Sequence, residues 1–150
     1  MNLQEEIKIM KERIAELEEL AKEEQEFPQD GDKYWYMDDE GAVFCTFYDN
    51  RYIDGYRQDI GNIFRTEEEA EFAVEKLKVE SELRKFSKSP DFGEEDWFIV
   101  CTYSGEVCSS YAIDGIYQGV IYFESKEKVK QAVSTVGAER IKKYLFGVEE

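Results

Sequence analysis

Thirty-five carboxylates, ten tyrosines, three cysteines and no histidine make up the reactive inventory of this 150-residue chain. Without an imidazole, serine and cysteine hydrolase triads, histidine metal sites and the usual acid–base chemistry near neutral pH all lose their central group. Cys45, Cys101 and Cys108 are odd in number and match no zinc spacing. Cys45 and Cys101 are expected as small core residues, the common role of a free cysteine. Carboxylates and tyrosines can carry acid–base steps unaided, so an enzyme of unrecognised type stays open. Glu67, Glu68, Glu69 and Glu71, however, read as a solvated helix face. The run Asp49-Asn50-Arg51-Tyr52-Ile53-Asp54-Gly55 has calcium-loop composition but neither the alternate-residue ligands nor the closing Glu. Gly55, Gly61 and Gly119 open no phosphate loop, because no Lys and Ser/Thr follow at the start of a helix. No catalytic residue, metal ligand or cofactor is assigned.

Charge is the stronger signal. The net charge is −16, with 5 basic and 11 acidic groups in residues 1–33, 8 and 17 in residues 34–96, and 6 and 7 in residues 97–150. A surface so acidic over its first two thirds repels phosphate backbones and complements a basic protein face. Tyr34, Trp35, Tyr36, Phe47, Tyr48, Tyr52 and Tyr56 could form a base-stacking platform, but core packing accounts for much of that set and the neighbouring Asp38, Asp39 and Glu40 oppose nucleic acid. The segment between Tyr48 and Gly61 joins Tyr, Asp and Arg, residue types that anchor interfaces. It reads equally as a solvated loop. The expected partner-binding set is Asp38, Asp39, Glu40, Asp49, Tyr52, Asp54, Tyr56 and Asp59.

The elements that must carry these residues follow from periodicity. Leu3, Ile7, Met10, Ile14, Leu17 and Ala21 alternate spacings of four and three, which predicts an amphipathic helix over about 3–25, ended by Phe27-Pro28. Such a stripe either lies on its own domain or pairs with a second copy through Ile7, Met10, Ile14 and Leu17. At under three heptads it favours packing within the chain, and a monomer over a homodimer. Two aromatic, β-branched runs, 34–37 and 42–48, flank the acidic turn Asp38-Asp39-Glu40-Gly41 as a hairpin. The polar loop 49–59 precedes a short third strand at Gly61–Arg65. Thr66-Glu67-Glu68-Glu69 is a capping box that opens a helix over 67–86.

After a linker, 87–93, the order repeats. Trp97–Val100 echoes Tyr34–Met37, Gly105–Cys108 echoes Gly41–Phe44, and Gly119–Phe123 takes the place of the third strand. Ser125 caps as Thr66 does, and Val129, Ala132, Val133 and Val136 follow Ala70, Ala73, Val74 and Leu77 at one offset. Gly137 is expected to interrupt the last helix and leave a terminal one over 138–146. The fold class is α+β: an N-terminal helix (1–26) and two β-β-β-α halves (31–88 and 92–148), with antiparallel sheet or sheets and helices packed on one face. Whether the two sheets merge stays open.

Gly61-Asn62-Ile63-Phe64-Arg65-Thr66-Glu67-Glu68-Glu69-Ala70-Glu71 with Glu75–Val79, the close Gly137–Val148 and the Tyr34-Trp35 strand start resemble small uncharacterised proteins of phages and prophages of Gram-positive bacteria. The resemblance covers most of residues 31–148 and carries no functional residue with it. Small acidic phage proteins include inhibitors of bacterial defence, anti-CRISPR proteins among them, that cover basic nucleic-acid-binding surfaces. The acidic first two thirds, the missing catalytic residues and that analogy of size, charge and source together predict a non-catalytic inhibitor of a basic host protein such as a nuclease, acting in the host cytoplasm without contacting nucleic acid or membrane. The charged, periodic N-terminus, unlike a secretory signal, agrees with that compartment. The alternative is a binder of a small molecule or signalling nucleotide in a pocket between the halves.

Overall fold

The computed structural model describes residues 2–91, 95–112 and 114–149. It is an α+β fold with an N-terminal helix and two small antiparallel sheets. In chain order these are α1 (Leu3–Glu24), β1 (Lys33–Met37), β2 (Val43–Phe47), α2 (Tyr52–Asp59), α3 (Glu67–Arg84), β3 (Asp96–Cys101), β4 (Val107–Ala112), α4 (Lys126–Val136) and α5 (Ala138–Arg140), which runs into a π-helical turn at Ile141–Leu145. The sheets stay separate: β1 pairs with β2, and β3 pairs with β4 from Asp96 opposite Ala112 to Cys101 opposite Val107. Two compact units result, residues 1–36 with 45–65 and residues 37–44 with 66–150. Among the described residues no helix is long and apolar enough to cross a membrane.

Each hairpin turn is built by one side chain and one glycine. In the first, Asp38 Oδ1 accepts from the N–H groups of Glu40 (3.0 Å) and Ala42 (2.8 Å), and Gly41 takes φ +83°. In the second, Thr102 Oγ1 accepts from Glu106 N–H (3.1 Å), and Gly105 takes φ +85°. A side-chain acceptor at the turn entry and a left-handed residue near its exit are what fold a strand back at low cost.

The expected third strands shorten to isolated bridges, Phe64 in the first case and Tyr122 (to Lys88) with Phe123 in the second. Trp35 and Phe64 exchange two backbone hydrogen bonds of 2.9 Å, and Trp97 and Phe123 exchange bonds of 3.2 and 2.8 Å. Both segments leave the sheet at once for a helix N-cap two residues on, so no longer ladder can form. There Thr66 Oγ1 accepts from Glu69 N–H and Ser125 Oγ from Lys128 N–H, each at 3.2 Å. α1 is also capped, by a reciprocal box between Asn2 and Glu5.

The main core lies in the larger unit. There α3 supplies Val79 and Leu83, β3 supplies Ile99, the bridge segment supplies Phe123, and α4 adds Val129, Ala132 and Val136. A fully buried Leu83 or Phe123 contributes about 2 kcal/mol of apolar burial. Arg140 Nη1 and Nη2 reach Glu82 at 2.7 and 3.2 Å, a two-pronged bond that fastens the C-terminal turn to α3. Gly137, at φ +106°, separates α4 from α5 as expected.

Three expectations are corrected. Leu77, expected in the apolar stripe of α3 and aligned with buried Val136, is exposed, whereas Ala70, Val74, Val79 and Leu83 of that helix are buried. Cys45 is exposed, because β2 is half of a two-stranded sheet and buries none of its residues, and Cys101, at the end of β3, is only half-buried. α1 buries no residue at all, so its stripe does not lie on its own domain.

Candidate functional site

The segment 49–59, expected as a polar loop, is the helix α2 for most of its length. Its eight residues include Gly55 and no apolar stripe, so propensity alone would not hold it. Its ends are fixed locally. The left-handed Gly61 (φ +74°) donates to Gln58 O at 3.0 Å and Asn62 N–H to Arg57 O at 2.8 Å, a Schellman stop. The glycine that reads as a strand start is therefore also a helix terminator.

The rest of its stability comes from Asp54, which is 2% exposed. Asp54 Oδ1 accepts a hydrogen bond from the phenol of the fully buried Tyr34 on β1. Oδ2 accepts from the backbone N–H groups of Asp49 (3.1 Å) and Arg51 (3.2 Å). Arg57 Nη1 donates to the Tyr34 oxygen at 2.9 Å, while its guanidinium lies 3.6 Å from the centre of the Tyr36 ring. One turn later, Tyr48 on the hairpin donates to Gln58 Oε1 at 3.1 Å.

Burial by itself pushes the Asp54 carboxyl up, but the bonds from Tyr34, Asp49 and Arg51 outweigh it and hold the group at about 2. Tyr34 moves the other way: burial and the adjacent Asp54 raise its phenol, against a lowering by Arg57. The ion at Asp54 is thus permanent near neutral pH. Both of its oxygens are bonded within the protein, so it acts as a clamp and is not poised as an acid or base.

The clamp decides what α2 shows to solvent. Tyr52, Tyr56 and Asp59 lie at i, i+4 and i+7 on one helix face. Tyr52 is 88% and Tyr56 64% exposed, with Ile53 and Ile60 exposed nearby. Tyr48, Asn50, Arg51 and Gly55 complete a shallow depression of ≈ 280 Å³ between them. Asp49 lies beside it, its carboxylate 2.6 Å from Arg51 Nε.

The expected binding set is accordingly divided. Tyr52, Tyr56 and Asp59 share the α2 face with Asp49 at its edge. Asp54 is withdrawn from the surface, and its role is to hold that face in place. Asp38 is half-buried and occupied by its turn, whereas Asp39 and Glu40 are exposed at the hairpin tip in the other unit.

That larger unit carries a second acidic feature. Glu67, Glu68, Glu71 and Glu75 border a groove of ≈ 600 Å³ floored by Phe72 and Tyr144, whose ring centres are 5.1 Å apart. Lys78, 3.0 Å from Glu75, and Lys143 temper its charge. Helical spacing of four glutamates was the available signal; the aromatic floor needed Tyr144, remote in sequence. The buried Asp96, like Asp54, serves structure: it accepts from Asp91 N–H at 3.0 Å and pairs with Lys88 at 3.3 Å. Among the described residues no group of three or more Cys, Asp or Glu is arranged to hold a metal ion. No protein-family model, curated protein or solved structure matches the chain.

Proposed function

We propose that this chain is a non-catalytic binding protein of phage type, which inhibits a basic, nucleic-acid-handling host protein by docking the α2 face onto it. One observation carries this reading: Tyr52 and Tyr56 stand exposed on a helix whose orientation is locked from beneath by the Asp54 clamp. Large, rigid aromatic side chains that lose little freedom on contact are the residues from which interface hot spots are made. Asp49 and Asp59 at the edge, in a chain of net charge −16, supply long-range attraction to a basic surface. Inhibition of a defence nuclease, in the manner of anti-CRISPR proteins, is the form of this activity that the phage resemblance suggests.

The test is capture from lysate of a Gram-positive host at low salt, followed by calorimetry with the captured protein. The expected result is a basic nucleic-acid-binding partner whose affinity falls as salt rises. Replacing Tyr52 and Tyr56 together by Ala should weaken binding by about 3 kcal/mol, roughly a hundredfold. Binding that ignores both tyrosines would overturn the assignment of the face. A partner without basic character would overturn the electrostatic reading.

A further inference from the structure

Among the described residues, α1 carries a large apolar stripe without a partner, in which Leu3, Ile7, Met10, Ile14 and Leu17 are 48–76% exposed. Its spacing sorts these residues into two seam positions. Ile7 and Ile14 occupy the a position, and Leu3, Met10 and Leu17 occupy d. β-branched residues at a with unbranched-Cβ residues at d are the combination that favours a two-stranded parallel coiled coil.

The charges beside the seam give an independent indication. Glu6 and Arg13 stand just before the a positions, and Lys11 and Glu18 just after the d positions. In a parallel, in-register pair each g residue faces the e residue five positions later on the partner helix. Glu6 then faces Lys11, and Arg13 faces Glu18, so both kinds of contact join opposite charges. In an antiparallel pair centred on the same stripe, Lys11 would face Lys11 and Arg13 would face Arg13. Arg13 now bonds Glu16 of its own helix at 3.0 Å, but both side chains are well exposed and free to exchange that contact.

We infer that α1 joins two copies of this chain as a parallel, in-register, two-stranded coiled coil. The seam spans under three heptads within a helix of 22 residues, so the dimer is reversible and dissociates on dilution. This inference is independent of the binding face on α2.

Sedimentation equilibrium on the full chain tests it. A concentration-dependent dimer is expected, and Ile14→Glu should be monomeric while melting as the parent does, since α1 buries nothing within its own chain. Orientation is read from charge variants. Glu6→Lys alone and Lys11→Glu alone should each raise the dimer dissociation constant about tenfold. An equimolar mixture of the two should restore parent-like association, because each chain then meets the opposite charge. A parent that stays monomeric at the highest attainable concentration, or a dimer that survives Ile14→Glu, overturns the inference. A dimer that Glu6→Lys leaves unchanged overturns the parallel arrangement.

Discussion

The two halves of this chain use the same frame and differ in what hangs from it. Both turn their hairpins on a side-chain acceptor and a left-handed glycine, Asp38 with Gly41 and Thr102 with Gly105. Both then bridge a tryptophan to a phenylalanine and enter a helix through a hydroxyl cap. Between the second strand and the bridge they part. The first half inserts α2, clamped by Asp54, whereas the described residues after β4, from 114 to the bridge at Tyr122, form no helix. A frame of turn, backbone bridge and cap can carry different inserts without changing itself, and here the insert carries the exposed aromatic face.

The largest test of that contrast is Asp54→Ala. It leaves the Tyr34 phenol and two backbone N–H groups without their acceptor, and should destabilise the smaller unit by about 3 kcal/mol. Each unit holds one tryptophan, Trp35 and Trp97, so emission in a Trp97→Phe background follows the smaller unit during urea unfolding. An unchanged midpoint would mean that α2 does not depend on the clamp.

Acid should act through the same residue, to a smaller extent. Because the Asp54 carboxyl is lowered from 3.8 to about 2 on folding, its contribution is complete above pH 4 and disappears as pH falls through 2. By linkage this amounts to about 2 kcal/mol. In Asp54→Asn the stability of the smaller unit should lose that part of its pH dependence over the same interval. Parallel curves for parent and variant would assign the acid response to other carboxylates.

Two paired comparisons then sharpen the claim of a shared frame. Gly41→Ala and Gly105→Ala both force a side chain into a left-handed backbone at about 1.5 kcal/mol each, and at Gly105 the flexible Lys142 side chain, 3.1 Å from the new methyl, must also swing aside. Thr66→Ala and Ser125→Ala each remove one N-cap acceptor, at about 1 kcal/mol. All four lie in the larger unit and can be followed by Trp97 emission in a Trp35→Phe background. Costs that match within each pair support equivalent halves, while a pair differing by more than about 1 kcal/mol breaks the equivalence at that element.

Whatever depends on neighbours a few positions apart could be read directly from the chain. Alternating spacings of four and three defined α1 to within a residue of its observed Leu3–Glu24, and Thr66 and Gly137 marked helix boundaries, because caps and glycine dihedrals act within one turn of chain. The turn glycines Gly41 and Gly105 and the caps Thr66 and Ser125 were legible for the same reason, since each acts on its own few neighbours. Tertiary structure alone decided the rest. α2 was hidden because its stability comes from a phenol twenty residues away at Tyr34, and the sole forward clue, Gly61, serves two purposes. The roles of the acidic residues were equally invisible. Asp54 and Asp59 are the same residue type on one short helix, yet one is 2% exposed beneath a tyrosine and the other faces solvent. A carboxylate's role follows from how many donors surround it, and that number is set by which distant segments the fold brings against it.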